Sequence, residues 1–183
     1  MTDIKRLERK LGVVFRDKSL LQRALTHRSY LNEHPEFPFE DNERLEFLGD
    51  RVLGLVIAHI LFERHDSVPE GELARMLNAL VRRDMCLQVA QSLDIGPALK
   101  LSGRGRKRTT VTDNILGDAC EALIAAIFLD GGLDAAHGFI KEHWQAALEK
   151  APDVRKDAKT MAQEWAAQRS MPMPAYEIIE QDG

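Results

Sequence analysis

Residues 42–50 of the chain read Asn42-Glu-Arg-Leu-Glu-Phe-Leu-Gly-Asp50, and their spacing predicts an amphipathic helix. The acidic residues Glu43, Glu46 and Asp50 stand at positions i, i+3 and i+7, which places all three on one face of an α-helix. Further along the chain the same face becomes apolar, through Leu53, Ile57 and Ile60. Because such a face turns toward the protein interior, we expect the three acids to line a cleft.

A second acidic pair repeats this arrangement. Asp118 and Glu121 are at i and i+3, on a helical face that continues through Ala125 and Phe128. Two helices therefore each direct carboxylates along an otherwise buried face. Clustered like charges are costly unless a cation holds them, so the two pairs together predict a divalent-cation site.

The type of donor atom narrows the choice of metal. Carboxylate oxygens are hard ligands that suit Mg²⁺ or Mn²⁺. A di-iron helical bundle would need Glu-x-x-His pairs, and neither acidic pair has a histidine at that position. A carboxylate-bound metal with open positions favours an enzyme that activates water for attack on a phosphodiester.

Ordinary explanations compete with this interpretation for each single acid. The helix dipole stabilises acids in a first turn, which accounts well for Asp41. It accounts poorly for Asp50, Asp118 and Glu121, which stand a turn or more inside their predicted helices. Salt bridges with neighbouring arginines such as Arg51 are the other alternative. The spacing alone therefore supports a divalent-cation site without excluding ion pairs.

The pattern of apolar residues predicts an all-α domain over residues 1–150. Helices are expected at about 3–10, 17–25, 42–64, 84–93, 112–129 and 134–149, with a further helix that starts at 67–69. Pro69 is expected at the first helical position of the helix that starts at 67–69. Gly131-Gly132 is expected to end the helix at 112–129. The segment 34–40 contains two prolines and is expected to be a loop.

Composition limits the class of protein. The 183 residues are 44% hydrophobic and 30% charged, which is typical of a globular chain and not of a disordered one. We find no apolar run near the roughly 18 residues of a membrane span, and no signal peptide. Two cysteines, Cys86 and Cys120, are too few for a disulfide framework, which favours the cytoplasm. The net charge of −4 argues against a simple basic nucleic-acid binder.

Residues 151–183 differ in composition from the rest of the chain. Residues 151–156 are polar and contain Pro152, which indicates a linker. Residues 157–183 combine a short helical segment, a break at Met171-Pro-Met-Pro174 and the β-prone run Tyr176-Glu-Ile-Ile-Glu-Gln181. This segment is too short for a core of its own, and we interpret it as the N-terminal part of a second domain.

The acidic stretch resembles the signature of ribonuclease III, the endonuclease of double-stranded RNA. Three further segments are similar to the family in the same order: Ala24-Leu-Thr-His-Arg-Ser29, Glu70-Gly-Glu-Leu-Ala-Arg-Met76 and Asp118-Ala-Cys-Glu-Ala-Leu-Ile-Ala125. Residues 157–183 resemble the opening helix and first strand of an α-β-β-β-α double-stranded-RNA-binding domain, which would be incomplete here.

The resemblance implies an all-α endonuclease domain that forms a homodimer and processes ribosomal and messenger RNA. It implies hydrolysis by two Mg²⁺ ions, with Mn²⁺ as a substitute, leaving 5′-phosphate and 3′-hydroxyl ends. The metal ligands would be Glu46, Asp50, Asp118 and Glu121, with Asp50 and Glu121 catalytic. Glu43 and Glu70 would be additional site acids, and Glu72 is the alternative to Glu70.

The resemblance also assigns residues outside the acidic site. Phe47 alone would be interpreted as a core aromatic, but the family places it at the dimer interface. RNA contacts are expected from a basic loop and from the first helix of the second domain. These residues are Arg104, Arg106, Lys107, Arg108, Thr160, Gln163 and Glu164.

Arg51 departs from the family pattern, which usually has a small residue there. The six histidines show no ligand spacing and are assigned no chemical role, and Cys120 is expected in the core. No organic cofactor and no membrane are expected.

The alternatives to an enzyme are a scaffold that binds duplex RNA without cutting it and, less favoured, a purely structural dimer. Without the site acids the charge balance becomes slightly basic, so the acidic composition is compatible with an RNA partner when metal is bound.

Overall fold

The computed structural model describes residues 3–103 and 110–150, together with Ala166, Arg169, Met171 and Pro172. The chain divides into two units, Met1–Ala151 and Pro152–Gly183. The helices of the first unit are α1 (Asp3–Leu11), α2 (Lys18–Ala24), α3 (Arg28–Glu33), α4 (Glu43–Arg64), α5 (Glu70–Leu80), α6 (Arg83–Leu93), α7 (Asp113–His143) and α8 (Gln145–Lys150). In residues 3–103 and 110–150, β-pairing is limited to one parallel bridge between Thr26 and Lys100. The predicted all-α character is confirmed for these residues.

Most helix boundaries follow from local sequence signals. Asp17 caps α2 as predicted, because its carboxylate accepts a hydrogen bond from the backbone N–H of Ser19 at 2.9 Å. The prediction for Pro69 is off by one position, since Pro69 precedes the first helical residue, Glu70. Helix α3 was not predicted: it has only six residues, too few for an apolar periodicity to show. The imidazole of His27 caps it by accepting from the N–H of Ser29.

Helix α7 is the central helix of the core. Its residues Ala122 to Ile127 are fully buried, and the helix packs against α4, α6 and α2. It is also long and apolar enough in composition to cross a membrane, which the prediction of no spanning segment did not anticipate. Its central place in the protein core accounts for this composition.

A kink at Gly132 bends α7. Gly132 has φ 78° and ψ −172°, a backbone conformation that favours glycine. The predicted break at Gly131-Gly132 is confirmed, because the non-helical Gly132 separates two helical segments that together make up α7. The helix predicted at 134–149 is interrupted at Trp144, which is fully buried and donates its indole N–H to the carbonyl oxygen of Leu80 at 2.9 Å.

A buried carboxylate ties the start of α2 to α7. Asp130 accepts hydrogen bonds from the backbone N–H groups of Arg16 at 3.0 Å and Asp17 at 2.8 Å. These bonds hold the pKa of Asp130 below its ordinary value. The chain entering α2 is thus fixed against α7 by a side chain 114 residues away from Arg16.

In the second unit, the description is confined to four residues around one turn. The backbone N–H groups of Arg169 and Met171 donate to the carbonyl oxygen of Ala166, just before Pro172. The predicted linker 151–156, the β-prone run 176–181 and the proposed contacts Thr160, Gln163 and Glu164 lie outside the described residues. The assignment of 157–183 as part of an RNA-binding domain stays a prediction.

Helices α4 and α7 cross in direct backbone contact at Gly49. A Cβ atom at Gly49 would lie 1.8 Å from the carbonyl oxygen of Glu121, well inside any real contact distance. Only glycine permits this approach. Since Gly49 precedes Asp50 and is three residues from Glu46, the crossing sets the acids of α4 beside Glu121.

We expect Gly49→Ala to lower the free energy of unfolding by about 3 kcal/mol or more, because the added methyl group must push two helix backbones apart. Urea unfolding of the purified protein measures the effect. Gly54→Ala on the same helix is the matched control: a Cβ there meets nothing within 4 Å. The control should gain about 0.5–1 kcal/mol from the higher helix propensity of alanine. Equal effects of the two substitutions would contradict the close crossing.

Candidate active site

Four carboxylates converge where α4 and α7 cross. Glu46 and Asp50 come from α4, and Asp118 and Glu121 come from α7. Their proximity is visible in their mutual electrostatic effects: Asp50, Glu46 and Asp118 each make ionisation of Glu121 harder, and Asp118 does the same to Glu46. The structure thus brings together the four acids that the sequence analysis selected as metal ligands.

Burial raises the pKa values of Glu121, Glu46 and Asp118, and repulsion by neighbouring acids adds to the effect at Glu121 and Glu46. For Glu121, burial is the largest cause, followed by Asp50 and Glu46, and its pKa rises from 4.5 to about 7. For Glu46 and Asp118, burial again comes first, and both pKa values lie above their ordinary range. A bound cation would stabilise the ionised form of these carboxylates, because its positive charge offsets the repulsion between them.

Asp118 has an oxygen atom that is unsatisfied. Its Oδ1 atom is buried and accepts no hydrogen bond, although it forms an ion pair with the guanidinium nitrogen Nη2 of Arg83 at 3.2 Å. A buried carboxylate oxygen without a hydrogen bond is rare in folded proteins and fits an atom that awaits a metal ion. Arg83 and, more weakly, His27 lower the pKa of Asp118 against the effect of burial.

Glu121 has a second partner that the sequence analysis missed. The Cys86 thiol on α6 donates a hydrogen bond to its carboxylate, which partly offsets the upward shift of the Glu121 pKa. The Cys120 side chain, together with burial, raises the pKa of Cys86 far above its ordinary value, so that Cys86 remains a neutral donor. Both cysteines are fully buried, and the predicted core position of Cys120 is confirmed.

Arginines pair with the outer acids of the cluster. Arg51 forms a hydrogen-bonded ion pair with Asp50, and Arg28 lies 3.1 Å from a carboxylate oxygen of Glu43. Of the alternatives that the sequence left open, the ordinary salt bridge of Arg51 with an acid is present. Both ion pairs are exposed to solvent, so each contributes little to stability. A divalent cation can therefore replace the arginine as the partner of the carboxylate.

The comparisons with known proteins agree with this geometry. Residues 17–148 match the model of the ribonuclease-III-like family. The chain belongs to the ribonuclease III family. It is 45% identical over 179 residues to ribonuclease 3 of Caulobacter vibrioides, covering 97% of this chain and 77% of that protein. Ribonuclease 3 of Ruegeria pomeroyi is 44% identical over 187 residues, with 99% and 79% covered.

Solved structures show the same fold. The nuclease domain of ribonuclease III from Campylobacter jejuni superposes with a TM-score of 0.68 at 36% identity, covering 80% of this chain and 97% of that one. A second structure of that domain, described for flexibility in the region involved in dimer formation, gives a TM-score of 0.66. Dicer from Pichia stipitis shares the fold at 24% identity and a TM-score of 0.56. The chain is thus a ribonuclease III-type endonuclease.

The two candidate acids of α5, Glu70 and Glu72, lie in the first turn of that helix. Glu70 is exposed in the first turn, and Glu72 forms an ion pair with Arg75. Neither is among the charges that shift the pKa values of Glu46 or Glu121.

Phe47 lies on the outside of α4. Its side chain is 69% exposed, and the guanidinium carbon of Arg51 lies 5.7 Å from the centre of its ring. The core interpretation of Phe47 is therefore excluded for the single chain. Leu55 of the same helix is 58% exposed. Other exposed apolar side chains of α4 and α7 are Phe62, Leu129 and Leu133.

Two hydrogen bonds hold Ser102 and Gly103, the residues that precede the basic loop. The backbone N–H of Gly103 donates to a Glu33 carboxylate oxygen at 3.1 Å, and that of Ser102 donates to the Ser29 hydroxyl oxygen at 3.1 Å. The proposed RNA contacts that follow, Arg104, Arg106, Lys107 and Arg108, lie outside the described residues.

The raised pKa of Glu121 predicts how pH changes the stability of the metal-free protein. Between about pH 4.5 and 7 the folded state holds a proton that the unfolded chain has lost, so stability falls as pH rises through this range. Glu121→Gln removes the buried charge. In EDTA at pH 8, we expect it to raise the free energy of unfolding by roughly 1–3 kcal/mol, and the gain should vanish near pH 4.5.

Urea unfolding at the two pH values measures this difference. Glu142→Gln, an exposed position on the same helix, serves as the control and should change little at either pH. A Glu121→Gln protein that is less stable than the unsubstituted protein at pH 8 without metal would show that the carboxylate is not repelled by its neighbours.

Proposed function

We propose that this chain is a Mg²⁺-dependent endoribonuclease that hydrolyses phosphodiester bonds of double-stranded RNA, in the cytoplasm, during RNA processing. The observation that carries the proposal is the convergence of Glu46, Asp50, Asp118 and Glu121 in a partly buried cluster, in which burial and neighbouring carboxylates raise the pKa values of Glu46 and Glu121. Membership of the ribonuclease III family supports the choice of substrate.

The donor set fits hard divalent cations. Glu46, Asp50, Asp118 and Glu121 would hold Mg²⁺, with Mn²⁺ as a substitute, because all their donor atoms are carboxylate oxygens. Bound in a pair, such ions supply an activated water and a Lewis acid for phosphodiester hydrolysis that leaves 5′-phosphate and 3′-hydroxyl ends. Asp50 and Glu121 are the catalytic acids in this proposal, and Glu43 and Glu70 are additional site acids.

Neighbouring residues of the chain hold the site acids and influence their protonation. The thiol of Cys86 on α6 hydrogen-bonds to Glu121, and the ion pair with Arg83 holds Asp118. Glu121 must lose its proton to act as a ligand, and its pKa near 7 leaves it largely ionised in mildly alkaline solution. Arg104, Arg106, Lys107 and Arg108, with Thr160, Gln163 and Glu164, are proposed to contact RNA.

The second part of the proposal is a homodimer through Phe47. This ring lies on an open groove of about 910 Å³ whose other lining residues include Phe39, Leu48 and Leu129. A two-fold axis that brings two copies together would place each Phe47 against the groove of the other chain. An aromatic ring exposed on a helix beside such a groove is typical of an interface anchor.

We expect Asp50→Asn and Glu121→Gln each to lower the cleavage rate by about a hundredfold to a thousandfold while RNA binding persists, because each removes one ligand charge from the metal site. The measurement is gel electrophoresis of a labelled RNA duplex with Mg²⁺ and, in a parallel lane, with EDTA. Glu142→Gln is the control and should cut normally. Binding without cleavage by the unsubstituted protein in Mg²⁺ would instead favour a non-catalytic RNA scaffold.

Phe47→Ala should weaken dimerisation by about 2 kcal/mol, which is roughly thirtyfold in Kd, because a buried aromatic anchor is lost from each chain. Sedimentation equilibrium over a range of protein concentrations measures the constant. Val14→Ala changes another exposed apolar residue, 83% exposed in the segment between α1 and α2, and should leave the Kd unaltered. An unchanged Kd for Phe47→Ala would rule out this ring as the anchor.

A further inference from the structure

A group of potential metal ligands lies away from the acidic cluster. His59 and Glu63 of α4 and His137 of α7 each offer one ligand atom, and these atoms all lie within 4.8 Å of one another. Nε2 of His59 is 3.7 Å from a carboxylate oxygen of Glu63. The rings of His59 and His137 meet edge to face, with centroids 6.1 Å apart.

The packing of α4 against α7 creates this group. His59 and Glu63 stand at i and i+4, so they lie one turn apart on the same face of α4. His137 reaches them from α7 beyond the kink at Gly132. The sequence analysis gave the histidines no role because the third ligand is remote in sequence, and only the packing of the two helices reveals it.

We propose that His59, Glu63 and His137 form a second metal site, which takes an ion of the zinc class and not magnesium. Two imidazole nitrogens and one carboxylate oxygen are the donors that Zn²⁺ and its neighbours in the first transition row prefer, whereas Mg²⁺ prefers oxygen alone. The proposal does not depend on the endonuclease activity proposed above.

The distances suit such an ion after small side-chain movements. Ligand bonds of about 2.0–2.2 Å in a tetrahedral site place donor atoms about 3.3–3.6 Å apart. The His59–Glu63 separation of 3.7 Å nearly meets this value already. The side chains of His59 and Glu63 are 57% and 59% exposed, so they can turn by the remaining ångström, and water can fill a fourth position.

The site is separate from the candidate active site and has a different consequence. His59 follows Asp50 by nine residues on α4, or about 14 Å along the helix. A bound ion would join the C-terminal half of α4 to the segment of α7 beyond its kink. An ordinary i, i+4 ion pair accounts for His59 and Glu63, but it does not require His137 beside them.

Calorimetric titration with Zn²⁺, in excess Mg²⁺ to occupy the acidic cluster, tests the proposal. We expect one Zn²⁺ per chain, with affinity at least about tenfold weaker in His59→Asn, His137→Asn and Glu63→Gln. The matched control is His65→Asn, the same substitution just past the end of α4, which should bind normally. Glu121→Gln should also bind normally, because its carboxylate belongs to the other site.

Two further readouts make the result decisive. Co²⁺ in place of Zn²⁺ should give the intense visible absorption of a four-coordinate site with nitrogen ligands, and both histidine variants should lose it. Zn²⁺ at about one hundred times its Kd should raise the Tm of the unsubstituted protein by about 5 °C, and that of His137→Asn by much less. Unchanged Zn²⁺ affinity in the variants, loss of binding in His65→Asn, or half an ion per chain would overturn the three-ligand site.

Discussion

The direct backbone contact between α4 and α7 at Gly49 is the constraint on which the rest of the structure depends. The carbonyl oxygen of Glu121 occupies the place of a side chain at Gly49. Because helices are rigid over this length, the contact fixes the register of one helix against the other. Toward one end it sets four carboxylates together. Toward the other it brings His137 to His59 and Glu63.

The same contact makes the acidic cluster electrostatically unfavourable in the absence of metal. Burial and neighbouring carboxylates raise the pKa of Glu121 to about 7, and Asp118 keeps a buried oxygen without a hydrogen bond. Arg51 and Arg83 remove part of the repulsion, but they do so at exposed positions where ion pairs are weak. Without metal, this cluster lowers the free energy of unfolding, and the binding of divalent ions raises it again.

Local sequence signals predicted the parts of the fold that depend on local physics. The cap at Asp17, the long helix α4 and the glycine bend in α7 all follow from residues close in sequence. The failures have a common cause. Helix α3 is too short to show a period, and Phe47, which as a lone aromatic would be interpreted as core, is exposed in the described part of the chain. An apolar pattern tells which residues prefer burial, but the surrounding packing decides which are buried.

The helical class of residues 3–103 and 110–150 and the membership of the family could be read from the amino-acid pattern, because both depend on residues at short, regular spacing. The same spacing selected Glu46, Asp50, Asp118 and Glu121 as candidate ligands, but the surroundings of these acids depend on helix packing. Arg83 and Cys86 reach Asp118 and Glu121 from α6, and His137 reaches α4 from α7. These contacts join residues far apart in the chain. Their geometry depends on how the helices pack, which no local pattern specifies.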